Sequence, residues 1–284
     1  MKILDITSDE YRAIDALCNS DLQMIEANPS NYIWAKDAPK DESKMAALDY
    51  GTALHAALLE PETIGEIVDV FTDTKTRDTV KFQKYLELNE GNGKLILLEA
   101  EYDKMRFTVD GSQYHPRFAD AINCATHREG SIVTEYQGLT VKIRPDALFV
   151  KEGEQVEMFD VKSTALISDW RSDAKWKNPL FEHNYGFTAA FYMDVASAHF
   201  GCQIDKYTFL VVQKTIEMGR YPVAVFTVTR AELEAYGFFR RVDDAIEKYK
   251  DCIMLSNFSA DESFPEFYVE MGDGDVEVTF EGGE

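Results

Sequence analysis

The pattern of hydrophobic and polar positions divides the chain into a helical first part and a mixed second part. Within the first 60 residues, short apolar stretches lie between cap residues and prolines, which predicts three helices, the last ending before Pro61. Three further helices are predicted over residues 79–90, 99–109 and 116–125. We therefore expect a helical layer to precede the sheet.

From residue 129 onward the pattern becomes typical of strands separated by two long helices. The predicted strands are 131–136, 139–150, 155–162, 206–213 and 221–228, and the predicted helices are 182–200 and 230–250. Short polar sequences, Gln137-Gly138 and residues 151–154, join the first three strands as tight turns. This order predicts an α/β fold with a mixed central sheet flanked by helices and a helical N-terminal extension.

The length and the absence of repeats predict one domain. The 284 residues contain no low-complexity linker, so we expect a single domain over 1–260, with a helical part at 1–60 and a core at 129–250, followed by an acidic tail at 261–284. No run approaches the roughly 18 apolar residues of a membrane span. The first residues lack the apolar segment of a secretory leader, and the cysteines are widely spaced. We therefore expect a cytoplasmic protein with reduced thiols.

The charge balance limits the ways in which this chain could bind nucleic acid. Asp and Glu number 51 against 29 Lys and Arg, a formal net charge of −22, and the tail contains nine acids and no base. Bulk electrostatic attraction to a polyanion is excluded by this balance, and solubility is its simplest explanation. Any DNA contact would have to be local.

The register of the first predicted hairpins brings acidic side chains together. A turn centred on Gly153 places Asp146 opposite Asp160, with Lys162 two residues further on the same face. A turn at Gln137-Gly138 places Glu129 opposite Asp146 in the same way. Three carboxylates and one lysine are therefore expected to converge from three adjacent strands.

Two opposed aspartates repel each other, so this convergence favours a divalent cation. Mg²⁺ takes carboxylate oxygens and keeps waters that a phosphate can replace. The lysine could orient a metal-bound water or stabilise charge on a phosphoryl transition state. The alternative is a solvated polar face with a chance pairing, and Pro145 within the predicted strand could shift the register through a bulge.

Two motifs resemble a known group of nucleases. Pro145-Asp146 followed by Asp160-Val161-Lys162 matches the pattern of the PD-(D/E)XK nuclease superfamily. The segment from Gly51 to Pro61, GTALHAALLEP, resembles the corresponding segment of RecE-type, exodeoxyribonuclease VIII-like phage exonucleases, and Asn19-Ser20-Asp21-Leu22 resembles their N-terminal helices. The resemblance runs from about residue 15 to 250.

The resemblance implies a role for each matching residue. Glu129, Asp146 and Asp160 would be metal ligands and, with Lys162, the catalytic residues, while the Val161 carbonyl would complete a site. His55 would be a metal ligand or lie just behind one, although a lone histidine in an apolar helix is more often part of the core. Glu135 is the alternative acid, but register places it opposite Thr140, far from Asp146. Mg²⁺ is the implied cofactor, with Mn²⁺ as a substitute.

Other parts of the family pattern suggest where DNA would bind. The family's Q-x-x-x-Y motif appears here as Thr188 to Tyr192, so the glutamine is lost and Tyr192 is either a DNA contact or a core residue. Basic residues interleaved with tryptophan suit backbone and base contacts. These candidates are Arg171, Lys175, Trp176 and Lys177, with a solvated helix as the alternative. The cysteine spacing predicts no iron–sulfur cluster.

The resemblance implies a Mg²⁺-dependent exonuclease. It would degrade linear double-stranded DNA in the 5′-to-3′ direction and leave 3′ single strands for a RecT-like annealing protein. It would act as a homo-oligomeric ring in a bacterial or phage-infected cytoplasm. The alternatives are a PD-(D/E)XK endonuclease, a single-strand DNase, a non-catalytic acidic DNA mimic and a metal-free recombination scaffold.

Overall fold

The fold is taken from a computed structural model, which describes residues 2–36, 38, 42–151 and 155–258, and two short segments at 270–271 and 276–277. Residues 152–154 of the predicted turn at 151–154, and most of the acidic tail at 261–284, lie outside the described residues. The proposed boundary between a domain at 1–260 and a tail stays a prediction.

Twelve α-helices occur in the described part of the chain. They are α1 Ser8–Ala13, α2 Asn19–Ala27, α3 Pro29–Trp34, α4 Glu42–Leu59, α5 Ile64–Ile67, α6 Val80–Leu88, α7 Glu99–Gln113, α8 Pro116–Cys124, α9 Pro179–Glu182, α10 Tyr185–Phe200, α11 Arg230–Ala235 and α12 Phe238–Leu255. Cap residues mark several starts, as where the Asn28 side chain accepts from the Ser30 N–H at α3. None of the helices among these residues is long and apolar enough to cross a bilayer.

The strands of the described residues fall into a central sheet and three smaller pairs. They are β1 Val68–Phe71, β2 Leu95–Leu98, β3 His127–Arg128, β4 Ile132–Tyr136, β5 Leu139–Ile143, β6 Ala147–Lys151, β7 Gln155–Thr164, β8 Lys206–Gln213, β9 Val223–Thr229, β10 Glu270–Met271 and β11 Val276–Glu277. The parallel pair β1–β2 was missed by pattern analysis, because each strand has only four residues, too few to show a hydrophobic period.

The central sheet has the strand order β3-β6-β7-β8-β9. Strands β7 and β8 are parallel and their connection contains α10, while the other neighbours are antiparallel. One face packs with α10 and α12 around the largest apolar cluster, which includes Phe187, Phe209 and Val242. The other face packs with α4 and α8 through residues such as Leu54, Val161 and Phe118. The predicted mixed sheet flanked by helices is therefore confirmed.

The single strand predicted over 139–150 was wrong, because the chain leaves the ladder at residues 144–146. Pro145 has no N–H to donate and is confined to breaks or edges of a sheet. Strand β5 therefore ends before it and pairs with β4 as a separate two-stranded sheet, while β6 begins after it and pairs with β3. The first three predicted strands therefore do not all belong to the central sheet.

The predicted register nevertheless holds on both sides of this break. Ile132 lies opposite Ile143 in the β4–β5 hairpin, and Arg128 lies opposite Ala147 in the central sheet. Ala147 in turn lies opposite Phe159. These pairs follow the two turn positions proposed from the sequence, so the residues flanking the break keep their predicted neighbours.

The N-terminal extension is attached to the core by charged hydrogen bonds. Arg241 of α12 donates to the Glu26 carboxylate of α2 at 2.9 Å. The Lys142 ammonium of β5 donates to the carbonyls of Tyr11 and Ile14 at 3.1 and 2.7 Å. These contacts hold α2 against α12 and the segment around α1 against β5.

Candidate active site

Asp146 and Asp160 lie next to each other at the point where β6 begins beside β7. Asp146 precedes β6 by one residue, and the pairing of Ala147 with Phe159 brings it level with Asp160. Both are buried, with 9% and 5% of their surface exposed. The predicted opposition of the two aspartates is therefore confirmed, and two buried carboxylates share one small volume.

The carboxylate of Asp146 is fixed by the main chain of the neighbouring strand. Its Oδ2 accepts a hydrogen bond from the Val161 N–H at 2.6 Å and lies 3.5 Å from Nδ1 of His55. Burial, and then the charge of Asp160, raise the pKa of Asp146 to about 7, against the opposing effects of Lys162 and the Val161 N–H. Because these surroundings disfavour the ionised form of Asp146, a bound cation would stabilise that form strongly.

Glu129 joins Asp146 from the end of β3. Its backbone lies in the left-handed region at φ 52°, and its main-chain N–H donates to the Asp146 carbonyl at 2.9 Å. Its pKa is raised by burial and then by the charge of Asp146. Gly130 follows, where an added Cβ would lie 2.9 Å from Ile3, so the N-terminal segment passes closely over this turn.

Arg144, which the sequence analysis did not single out, positions Glu129. Its Nε donates to Glu129 Oε2 at 2.7 Å, and its Nη1 donates to the Ile6 carbonyl at 2.9 Å. The guanidinium therefore connects the acid to the N-terminal segment. Its position in the strand break, directly before Pro145, is the sequence feature that could have indicated this role.

His55 reaches the carboxylates from α4. Burial, and then the charge of Lys162, lower the pKa of its imidazole, which keeps the ring neutral at physiological pH. A neutral imidazole can offer a lone pair to a metal ion, and His55 lies close enough to Asp146 to do so together with it.

Three residues, His55, Glu129 and Asp146, each offer one potential ligand atom, and these three atoms lie within 4.8 Å of one another. Carboxylate oxygens with one imidazole suit a small divalent cation such as Mg²⁺ or Mn²⁺. Both carboxyl groups have raised pKa values, which a cation between them would relieve. The donor set therefore fits a metal ion.

Asp160 has a different partner, the ammonium of Lys162, with which it forms an ion pair. Burial alone would lower the pKa of Lys162, but the charges of Asp160 and Asp146 outweigh it and the pKa is raised. Lys162 is therefore a cation, and its Nζ lies 5.2 Å from the ring centroid of Tyr185. The site combines a cluster of metal-ligand type with a fixed positive charge beside it.

The basic segment predicted to contact DNA follows β7 and is exposed. Arg171, Lys175 and Lys177 project from it, and Trp176 is 74% exposed. Trp170, in contrast, is buried and stacks on Tyr185 with centroids 5.7 Å apart. Because Tyr185 also contacts Lys162, the segment is connected to the carboxylate cluster through two rings.

Tyr192 and Thr188 lie on the buried side of α10. Tyr192 is half-buried and packs edge-on against Tyr207 with centroids 6.0 Å apart. The Thr188 hydroxyl accepts from Asn19 and from Gln23 of α2, both at 3.1 Å. These positions favour the core interpretation of Tyr192 over the DNA contact.

Glu135, the alternative acid, lies away from the cluster. It is exposed in β4, opposite Thr140, whose hydroxyl donates to Glu135 Oε1 at 2.7 Å. Glu129 is therefore the acid that the fold brings to Asp146, while the roles of both residues stay predictions.

The chain matches one family model and is similar to solved structures. A family model described as a PDDEXK-like domain of unknown function (DUF3799) matches residues 20–261. The chain is similar in fold to a crystal structure from Eubacterium rectale described as "Putative exonuclease", with a TM-score of 0.58 and 13% identity over 87% of this chain and 88% of that one. A structure of SSO0001 is 14% identical over 79% of this chain and 84% of that one, with a TM-score of 0.28. No curated protein matches the chain.

Proposed function

Because the chain belongs to the PDDEXK-like family DUF3799, we propose that it is a metal-dependent deoxyribonuclease whose active site is the cluster around Asp146. The observation that carries this proposal is the approach of His55, Glu129 and Asp146 to within 4.8 Å, beside the ion pair of Asp160 and Lys162. A purely structural role would not call for three acids and a lysine in one partly buried cluster.

In this proposal the chain's own residues divide the work. His55, Glu129, Asp146 and the Val161 carbonyl would hold a divalent cation, with Asp160 at its edge. The cation would supply Lewis-acid activation of water and of the phosphodiester. Lys162, held charged by Asp160, would stabilise negative charge that develops on the phosphoryl oxygens. The Val161 N–H and Arg144 would keep Asp146 and Glu129 in place.

We propose further that the substrate is linear double-stranded DNA, degraded from 5′ ends to leave 3′ single strands for recombination. The similarity of residues 51–61 to RecE-type exonucleases supports this choice. The description of the Eubacterium rectale protein as an exonuclease agrees with it. A RecT-like annealing protein would then be the partner that uses the product.

The net charge of −22 requires that DNA be held by a few local cations. The exposed segment with Arg171, Lys175 and Lys177 is one such place, joined to Lys162 through Tyr185 and Trp170. A homo-oligomeric ring would gather the few bases of several subunits around one DNA molecule and leave the acids outside. We propose this assembly on charge grounds.

The experiment that tests the function compares linear and closed circular duplex DNA, each with Mg²⁺, Mn²⁺ or EDTA. Loss of the linear DNA alone, with either metal and not with EDTA, is the expected result. Asp160→Asn should abolish it. Cutting of the circle would instead identify an endonuclease, and loss of a single-stranded oligonucleotide alone would identify a single-strand DNase. No metal-dependent loss of any DNA would favour the acidic DNA mimic or the metal-free scaffold.

A further inference from the structure

The ammonium of Lys162 has two neighbours of different kinds. It forms an ion pair with Asp160, and its Nζ lies 5.2 Å from the ring centroid of Tyr185. Among the residues that the structure describes, no other acid forms an ion pair with Lys162. A lysine has a flexible stem of four carbons, so one ion pair alone lets the ammonium move around the carboxylate. The contact with the ring restricts this movement.

The ring of Tyr185 is held in place by other rings. Trp170 stacks on it with centroids 5.7 Å apart and planes at 23°, and Trp170 also stacks with Phe226 of β9 at 5.4 Å and 17°. Between ring centroids, Phe209 of β8 lies 6.0 Å from Tyr185 and 5.2 Å from Trp170. Trp170 and Phe209 are buried. Any turn of the Tyr185 ring would therefore disturb the core.

The main chain on both sides of Tyr185 is fixed as well. Tyr185 begins α10, and Asn184 before it has a left-handed backbone at φ 56°. Arg241 of α12 donates from Nη2 to Asn184 Oδ1 at 2.7 Å, which holds this uncommon conformation. Gly186 after it lies so close to the Phe238 ring that an added Cβ would overlap the ring. The first turn of α10 therefore has little freedom to shift.

We propose that Tyr185, supported by Trp170, is a positioning residue that fixes the ammonium of Lys162 at the edge of the carboxylate cluster. The face of an aromatic ring attracts a cation through its quadrupole. An uncharged ring holds the ammonium without neutralising it, whereas a second carboxylate would neutralise it. The positive charge therefore stays available to phosphoryl oxygens. This inference rests on the proposed nuclease function.

The effect of such positioning falls on the chemical step and not on the binding of DNA. In the proposed function, Lys162 stabilises charge that develops during the reaction, so it acts most strongly in the transition state. A misplacement of about 1 Å can cost about 10²-fold in rate. Loss of the Tyr185 ring should therefore lower kcat and leave KM almost unchanged.

The kinetic test compares Tyr185→Leu with Tyr185→Phe on linear duplex DNA and Mg²⁺. Tyr185→Leu removes the ring and should lower kcat by about 10- to 100-fold, with KM within about twofold. Tyr185→Phe keeps the ring and should restore kcat to within about threefold of the original protein. The matched control is Tyr32→Leu, which removes a half-buried tyrosine that packs on Tyr249 and Phe258. Its kcat should stay within about twofold, and thermal unfolding checks the fold of each variant.

A second measurement reports the contact without any cleavage. Protons beside the face of an aromatic ring are shifted upfield by its ring current, so NMR of protein labelled with [ε-¹³C]lysine detects the ring over Lys162. The signal of Lys162 is identified by its loss in Lys162→Met. This signal should move downfield in Tyr185→Leu and stay in place in Tyr185→Phe and in Tyr32→Leu.

Three results would overturn the proposal. The first is an unmoved Lys162 signal in Tyr185→Leu, and the second is an unchanged kcat of that variant in an active enzyme. The third is an equal loss of kcat in Tyr185→Phe, which would assign the effect to the hydroxyl group. If the original protein cleaves no DNA and the signal still moves as expected, the placing of Lys162 by Tyr185 stands and the proposed function alone fails.

Discussion

The hairpin β4–β5 and the strand ends of β3 and β6 share one register but differ completely in their surroundings. In the hairpin, Glu135 lies opposite Thr140, faces solvent and accepts a single hydroxyl hydrogen bond. Across the break, Glu129 lies beside Asp146 in a partly buried cluster with His55. The two acids are six positions apart in the chain.

The difference arises at the break itself. Pro145 interrupts one strand and Glu129, with a left-handed backbone, interrupts the other at the same level. Pairing therefore resumes in the same register but in another sheet. Main-chain groups near the break, such as the Val161 N–H, are free to bind a carboxylate instead of a strand neighbour. Glu129 therefore reaches the cluster because the strand ends there, and its spacing along the sequence alone would not place it there.

The strongest test of this contrast replaces one acid on each side of the break. Asp146→Asn should lower the rate of metal-dependent cleavage of linear duplex DNA by at least about 10³-fold, because it removes a ligand and a charge. Glu135→Gln should leave the rate within about twofold. Equal rates for the two variants would show that the buried cluster is not the catalytic site.

Arg144 is the next test, since it positions Glu129 without being a ligand. Arg144→Gln should weaken Mg²⁺ binding by about 10- to 100-fold, as is common for groups that orient a metal ligand. Titration calorimetry would measure the affinity. The control is Arg240→Gln, because Arg240 is exposed and pairs only loosely with Asp244 at 3.6 Å. An equal loss of Mg²⁺ affinity in both variants would mean that the change in net charge, and not the position of Glu129, causes it.

The sequence analysis succeeded where side-chain alternation and register decide the outcome. Turn positions predicted the pairing of Asp146 with Asp160 and of Glu129 with Asp146, because strand pairing is periodic and hairpin turns count residues. The choice of Glu129 and not Glu135 as the acid near Asp146 followed from the same counting of residues across the turn. Helices α10 and α12 were found because they are long and regularly patterned.

The features that the sequence analysis did not predict depend on contacts between segments that are distant in sequence. The separation of β4–β5 from the central sheet follows from Pro145 and from the close approach of Ile3 to Gly130, which joins segments distant in sequence. Arg144 was missed as a positioning residue because its role depends on the Ile6 carbonyl.

The pH dependence of metal binding should differ across the break as well. The pKa of Asp146 is raised to about 7, so without metal the native protein holds a proton below pH 7 that the unfolded chain has released above about pH 4. In EDTA the free energy of unfolding should therefore fall as pH rises from about 4 to 7, and should then level off as far as this group is concerned.

Metal binding requires the ionised carboxylate, so the affinity for Mg²⁺ should rise with pH up to about 7, by as much as about tenfold per unit. The measurement is the increase in unfolding temperature caused by Mg²⁺ at pH 6 and at pH 8. The increase should be larger at pH 8, and Glu135→Gln should keep that difference. The same increase at both values would mean that Asp146 is already ionised at pH 6.

The smallest effect is expected in the hairpin, where Thr140→Val removes the hydrogen bond to Glu135 and keeps the branched side chain. Because both groups are exposed, water replaces the lost partner, and the free energy of unfolding should change by no more than about 0.5 kcal/mol. Urea denaturation would measure it, and Mg²⁺ affinity should stay unchanged. A tenfold loss of Mg²⁺ affinity in this variant would show that the hairpin is coupled to the cluster through the break, and the contrast between the two regions would then be one of exposure only.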